Sequence, residues 1–181
     1  MRTSQRCIAR LVFVVLLTTL LAGCGGKQLE IGMDAPDFAA TSIAGKDVNL
    51  DALLKRGPVV LVLVRGFGDR DTRRQLDSLK ADKHRFDYYK ASIVVVARTR
   101  TTNQVFRFWD SYKRYMLGIS DRPEKKIGTA YRQEWKLTGS GLQPALFVIH
   151  TNGKLAWTHY GKKPYDIPKN EDVLKILDML Q

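Results

Sequence analysis

Cysteine is scarce in this chain, and its scarcity limits the chemistry that the chain can perform. The 181 residues include two cysteines, Cys7 and Cys24, and both lie in the N-terminal segment. Exported domains often carry disulfides, because their compartment permits them. The predicted globular part, residues 31–181, contains no cysteine. It therefore has no disulfide, no thiolate nucleophile and no zinc–cysteine site.

Acidic residues are also few. The chain has 18 Asp and Glu against 30 Lys and Arg, which gives a formal net charge of +12. No basic helix with interleaved aromatic residues favours binding to DNA or RNA, so we predict no nucleic-acid partner. Outside the cytoplasm, a basic surface would more plausibly meet anionic lipid head groups or cell-wall polymers. Because the charges are scattered, a solvated surface is the simplest interpretation.

Several catalytic and metal-binding motifs are missing. There is no glycine-rich phosphate loop and no His-Glu-x-x-His helix, and Ser140 lacks a Gly-x-Ser-x-Gly context. His84 lies on a charged helical face. His150 and His159 end the two strands of a predicted hairpin, where they are expected to approach one another. With no third ligand evident they are weak copper or zinc candidates, so we predict no metal and no cofactor.

The N-terminus has the pattern of an export signal. Arg2, Arg6 and Arg10 precede an apolar run, Leu11–Leu21, and small residues follow in Leu21–Cys24. A basic region, a short apolar region and small residues before a cleavage point are typical of a secretory signal. The run is shorter than the roughly 20 residues that span a bilayer. A true membrane helix or a simple secretory signal remains an alternative.

Leu-Ala-Gly-Cys resembles a bacterial lipobox. The resemblance implies cleavage before Cys24 and acylation of that cysteine, which would anchor the chain in the cell envelope. Gly25, rather than Asp, implies sorting to the outer membrane if the host is Gram-negative. The predicted divisions are a signal peptide (1–23), a lipidated cysteine with its tether (24–30) and one domain (31–181). Loss of the signal removes three arginines and lowers the net charge from +12 to +9.

Apolar runs alternate with amphipathic segments along the rest of the chain, which predicts an α/β sandwich. Asn152-Gly153 between two apolar runs is a strong hairpin signal. A short hairpin with a turn at Ala44–Lys46 and one helical turn at Asp51–Lys55 precede the sheet. The predicted strands are Val59–Val64, Ser92–Ala97, Ala145–His150 and Leu155–Tyr160. The predicted helices are Thr72–Lys90, a helix from Asn103 with an inner face reaching Met116, Ile127–Trp135 and Glu171–Leu180.

Short motifs in order along the chain carry a family resemblance. They are Ala35–Phe38, Gly45–Lys46, Arg65–Phe67, Arg73–Leu76, Ser120–Asp121, Thr129–Tyr131, Gln143–Ile149 and Asn152–Lys154. Together they resemble the alkyl hydroperoxide reductase/thiol-specific antioxidant superfamily. The resemblance implies a thioredoxin-like three-layer α/β/α sandwich with an N-terminal redoxin-type hairpin.

The family's chemistry requires a thiolate at a helix N-terminus, where the helix dipole lowers the cysteine pKa. By resemblance, the two cysteine positions are occupied here by Asp69 and Thr72. Pro144 occupies the position of the peroxiredoxin arginine and matches the cis-proline of thioredoxin-type members. We therefore predict a degenerate redox site with no catalytic residue, in which Asp69 caps the helix. The alternative is a peroxiredoxin or thiol–disulfide oxidoreductase, as the family implies.

A binding groove is predicted where the family has its active site. It comprises Arg65, Gly66, Phe67, Asp69, Arg73, Gln143 and Pro144. We expect a protein or peptide partner at this cis-proline groove and a membrane contact through Cys24. A second hypothesis is that Asp69, Asp71 and Arg65 bind a cation or a polar ligand.

Overall fold

A five-stranded mixed sheet forms the centre of the molecule. The structure, a computed structural model, describes residues 27–133, 135–136 and 141–181. The predictions for the signal segment, Cys24 and Ser140 fall outside these residues. Within the described ranges, no helix is both long enough and apolar enough to cross a membrane.

The helices and strands follow the alternation that the sequence predicts. The strands are β1 (Ala39–Thr41), β2 (Asp47–Asn49), β3 (Val59–Val64), β4 (Ser92–Ala97), β5 (Leu117–Ser120), β6 (Trp135–Lys136), β7 (Gly141–Leu142), β8 (Ala145–Ile149) and β9 (Leu155–Tyr160). The helices are α1 (Leu50–Leu54), α2 (Arg70–Ala81), α3 (Lys83–Tyr88), α4 (Asn103–Asp110), α5 (Lys126–Ala130) and α6 (Asn170–Asp178). The central sheet has the order β5-β4-β3-β8-β9, with β3, β4 and β5 parallel and β8 and β9 antiparallel to their neighbours.

Strand β3 is buried along its whole length. Its side chains alternate between the two faces of the sheet. Val60 and Val62 join a cluster that includes Leu76 of α2, while Leu61 packs on the opposite face among residues that include Tyr131. The buried members of both clusters lie between Phe38 and Leu177. The predicted three-layer α/β/α sandwich is confirmed.

Both predicted hairpins are present. β1 pairs with β2 in antiparallel fashion, and β8 pairs with β9. Gly45 and Gly153 occupy the turns with φ angles of 77° and 81°, which a residue without Cβ adopts without steric cost. Asn152 Oδ1 accepts a hydrogen bond from Lys154 N at 3.0 Å and closes the second turn.

The helix predicted over Thr72–Lys90 is two helices. α2 ends at Ala81 and α3 begins at Lys83, with Asp82 at φ −90° and ψ 10° between them. Asn170 Nδ2 donates to Asp82 Oδ2 at 2.7 Å and to Ser78 O at 3.0 Å. This hydrogen bond lowers the pKa of Asp82 and fixes the break. The partner residue is far away in the sequence, which explains why local periodicity did not reveal the break.

The sequence prediction lacked strand β5. β5 pairs with β4 in parallel at the sheet edge, and its outer side is covered by Ile43, whose N donates to Gly118 O at 2.8 Å. The strand is four residues long, and Gly118 interrupts its apolar pattern. Short strands of this kind carry little periodic signal. The Trp109 indole packs against Gly118.

The helix predicted over Ile127–Trp135 is also wrong beyond its first turn. α5 ends at Ala130, and Arg132 has a φ of 55°, a left-handed conformation that does not continue a right-handed helix. Trp135 belongs to strand β6 instead.

Gly118→Ala should destabilise the fold, because a Cβ at this position would overlap the Trp109 indole. Overpacking a well-filled core costs about 1–3 kcal/mol. The measurement is the free energy of unfolding from urea titration. Trp109→Leu removes the obstructing ring. The decrease in the free energy of unfolding of the double variant should therefore be smaller, by at least about 0.5 kcal/mol, than the sum of the decreases in the two single variants. Strict additivity of the two losses would contradict the predicted overlap.

Candidate functional site

The candidate site lies at one end of two inner strands of the sheet, where β3 ends and β8 begins. Leu63 pairs with Ala145, so the loop after β3 and the loop before β8 are neighbours. They border a shallow depression of about 300 Å³. Its lining is Arg65, Gly66, Phe67, Asp69, Gly141 and Leu142. Four of the seven predicted groove residues therefore line one depression.

Asp69 and Thr72, at the positions that resemble the family's cysteines, are hydrogen-bonded to one another. Asp69 begins α2 as its N-cap, and Oδ1 accepts from Asp71 N at 2.9 Å and from Thr72 N at 3.0 Å. Asp69 Oδ2 accepts from Thr72 Oγ1 at 2.7 Å. Thr72 is only 3% exposed. The predicted capping role of Asp69 is confirmed.

Three of the four carboxylate oxygens that Asp69 and Asp71 could offer a cation already have partners. Asp69 uses both carboxylate oxygens in the cap. Asp71 Oδ1 lies 3.5 Å from Arg74 Nη1. Among the described residues, no group of three or more His, Cys, Asp or Glu side chains is arranged to hold a metal ion.

Pro144 differs from the expectation. The Gln143–Pro144 peptide bond is trans, and the cis bond among the described residues is Arg122–Pro123. The trans form is the ordinary one for X–Pro bonds. The Gln143 carbonyl accepts a hydrogen bond from the Gln133 side-chain amide. Pro144 O accepts from Gly161 N at 2.9 Å, so this carbonyl is already paired. Both Gln143 and Pro144 are buried, and neither lines the depression.

Gln133 joins the two loops and was not identified from the sequence. Its Nε2 donates to Gln143 O at 2.9 Å and approaches Val64 O at 3.4 Å. The side chain is 8% exposed, so these bonds satisfy a buried amide. Gln133 therefore holds the end of β3 against the start of β8. A single glutamine in a short loop carries no motif by which it could have been found.

Arg73 lies outside the depression that Arg65 borders. Its guanidinium carbon stands 4.8 Å above the Phe108 ring, and Phe67 packs against Trp109 with ring centroids 5.2 Å apart. Phe67 separates the first depression from a second one of about 420 Å³, to which Arg73, Arg100 and Phe108 contribute. The predicted groove is thus two shallow depressions on either side of Phe67.

The predicted approach of His150 and His159 is wrong. His150 follows β8 and its N donates to Lys154 O at 2.9 Å in the turn, whereas His159 pairs with Leu146. His150 lies four positions beyond Leu146 along the chain, which is about 13 Å in an extended strand. His159 instead lies 3.3 Å from Asp166 Oδ1, at the other end of the hairpin. His84 is exposed on α3, as expected.

Curated proteins similar to this chain include the thiol-disulfide oxidoreductase ResA of Bacillus thuringiensis and that of Bacillus anthracis. Each is 24% identical over 157 residues, which cover 81% of this chain and 85% of the relative.

Solved structures with a similar fold include two peroxiredoxin-type proteins. Peroxidoxin BcpB from Mycobacterium tuberculosis superposes with a TM-score of 0.73 at 19% identity, over 85% of this chain and 99% of the other. A yeast mitochondrial 1-Cys peroxiredoxin gives a TM-score of 0.71 at 17% identity, over 85% and 77% of the two chains. These likenesses establish the thioredoxin fold.

A sequence profile of the AhpC/TSA family matches residues 31–158, which is most of the chain and nearly all of the sheet. The chain belongs to the AhpC/TSA family.

Proposed function

We propose that this chain is an exported, lipid-anchored AhpC/TSA-family protein whose redox site is degenerate, and that it binds or scaffolds a partner rather than performing thiol chemistry. The observation that carries the proposal is the Asp69–Thr72 hydrogen bond at the helix start. Thiol peroxidases and thiol–disulfide oxidoreductases oxidise a cysteine sulfur or exchange its bond. Residues 25–181 contain no such sulfur.

The cap gives these residues a physical role without catalysis. An active-site thiolate would place negative charge beside the positive end of the α2 dipole. The Asp69 carboxylate supplies the same charge and satisfies two backbone N–H groups that would otherwise lack partners. The helix start keeps its geometry, while a carboxylate cannot form a disulfide.

The depressions beside this helix are the proposed binding surface. Arg65 and Arg73 supply positive charge, and Phe67 supplies an apolar surface between them. A protein or peptide segment could contact both depressions across Phe67. The Pro144 carbonyl is engaged by Gly161, so binding would rely on side chains more than on this backbone group.

The name of the ResA relatives favours an alternative, a thiol–disulfide oxidoreductase. That activity would need a thiol from Cys24 or from a partner, because the rest of the exported chain has none. Acylation of Cys24 would remove its own thiol from this role.

Asp69→Ala should lower the free energy of unfolding by about 1 kcal/mol, because removing an N-cap acceptor leaves two N–H groups without their bond. Asp69→Asn is the matched control. Asparagine is as good an N-cap as aspartate, so it should retain most of that stability. Chemical denaturation of the two variants provides the measurement. Equal losses in Asp69→Ala and Asp69→Asn would indicate that charge, not capping, is what Asp69 contributes.

The double variant Asp69→Cys/Thr72→Cys should acquire a disulfide and the ability to reduce insulin disulfides, because the two side chains already face one another at a helix N-terminus. The matched control is Asp71→Cys/Arg74→Cys, which places cysteines at the same spacing two residues further along the helix. It should show much weaker activity. If neither pair is active, the helix start has not retained the geometry of a redox site. If both are equally active, position on the helix does not matter, and the assignment of Asp69 and Thr72 fails.

A further inference from the structure

Three arginines, Arg98, Arg122 and Arg132, lie together beside α5. Arg98 Nη2 donates to Thr129 Oγ1 at 3.3 Å, and Arg122 Nε donates to the Arg98 carbonyl at 3.3 Å. Arg132 borders the same depression as Arg98. In the part of the chain that the structure describes, none of the three forms an ion pair with a carboxylate.

Asp121 is the carboxylate whose charge acts on Arg98, and its oxygens are already used. Oδ1 accepts from Ile127 N at 3.1 Å and Oδ2 from Gly128 N at 2.7 Å, and Asp121 is 6% exposed. The pKa of Arg98 lies below its ordinary value, chiefly because burial disfavours the charged form, and the charge of Arg122 adds to this effect. The cluster therefore carries positive charge that its own carboxylate does not pair directly.

The space around Arg98 is open on one side. A depression of about 490 Å³ is lined by Arg98, Thr129, Ala130, Arg132 and Gln133. Gly128 leaves room for the guanidinium, because a Cβ there would lie 2.7 Å from Arg98 Nε. That buried Nε has no hydrogen-bond partner among the described residues. The guanidinium thus packs against α5 and borders a shallow, positively charged depression wide enough for an oxyanion.

The N-terminal segment reaches the domain beside this cluster. Leu29 N donates to Tyr160 Oη at 3.0 Å, and Tyr160 Oη donates at 3.1 Å to the carbonyl of Tyr131, the residue before Arg132. Leu29 also packs against the core cluster on the α5 face. Cys24 lies five positions before Leu29, a reach of at most about 18 Å. An anchor at Cys24 would keep this face of the domain close to the bilayer.

We infer that Arg98, Arg122 and Arg132 form a docking surface for the phosphate groups of anionic lipids in the membrane that holds the chain. The inference rests on the lipid anchor of the proposed function. Guanidinium groups match phosphate geometry, and each basic residue near an anionic surface contributes about 1 kcal/mol. The surface would orient the tethered domain with α5 toward the bilayer.

The test uses residues 25–181, which include every fully buried member of both core clusters. Co-sedimentation is measured with phosphatidylcholine vesicles, with and without phosphatidylglycerol. Arg98→Gln/Arg122→Gln/Arg132→Gln should weaken binding to the anionic vesicles about 100-fold, the equivalent of three contributions of about 1 kcal/mol. The neutral vesicles should bind no variant. Thermal melts establish that each variant is folded.

The matched control is Lys55→Gln/Arg56→Gln/Lys90→Gln, which removes the same charge around a depression at the start of β3. It should weaken binding only a few-fold. If the triple arginine variant does not fold, the double variant Arg122→Gln/Arg132→Gln replaces it, because it changes only two exposed residues. Its binding to the anionic vesicles should be about 30-fold weaker than that of the unaltered domain.

Equal losses in the two charge variants, or no binding of the unaltered domain to anionic vesicles, would overturn the inference. Binding of inorganic phosphate by the unaltered domain, together with no binding to anionic vesicles, would identify free phosphate as the ligand and would also overturn it. The anchor is tested separately by the mass of the mature N-terminus of the full chain expressed in bacteria. An unmodified Cys24 would remove the anchor, whatever the vesicles report about the arginines.

Discussion

The burial of β3 on both faces is the constraint on which the rest of the structure depends. Every residue of this strand is buried, and each face supports one of the two core clusters. Because β3 cannot shift without exposing apolar side chains, its last residue fixes where the next loop begins. That loop leads directly into Asp69 and α2. The geometry of the candidate site is therefore set by the core and does not require cysteines.

Because the core and not a cysteine sets this geometry, residues 31–181 form a thioredoxin fold although they contain no cysteine. The start of α2 has N–H groups that need acceptors and a dipole that favours negative charge. Asp69 meets both needs, and the buried Thr72 hydroxyl completes the arrangement through its hydrogen bond to Asp69. Gln133 joins the two neighbouring loops independently of any redox group. The candidate site therefore has a capped helix start and two joined loops, and its arginines and phenylalanine suit the proposed binding.

The sequence predicted the parts of the fold whose signals are local. The continuous apolar run of β3 and the Asn152-Gly153 turn specify their structures within a few residues, and Asp69 is recognisable as a cap from its position before an amphipathic segment. The predictions failed where a distant residue decides the structure. Asn170 breaks the long helix at Asp82. Strand β5 was missed for another reason, because a four-residue strand interrupted by Gly118 carries little periodic signal.

The same distinction holds at the candidate site. The loop containing Arg65 and Phe67 could be placed from the strand before it and the helix after it. The division of the groove by Phe67 could not be placed, because it depends on aromatic contacts with α4. The separation of His150 from His159 follows from the hairpin itself, because antiparallel strands place their last residues at opposite ends. The trans bond before Pro144 has no local sequence signal. The expectation of a cis bond before Pro144 came from the family resemblance alone.

The most direct test of the account is the turnover of peroxide and of insulin disulfides by the unaltered domain, residues 25–181, with a thiol reductant supplied. The account predicts rates equal to those of a blank without protein, since the domain has no sulfur nucleophile. Turnover above the blank by this cysteine-free domain would contradict it and would show that the domain performs a chemistry that does not depend on thiols.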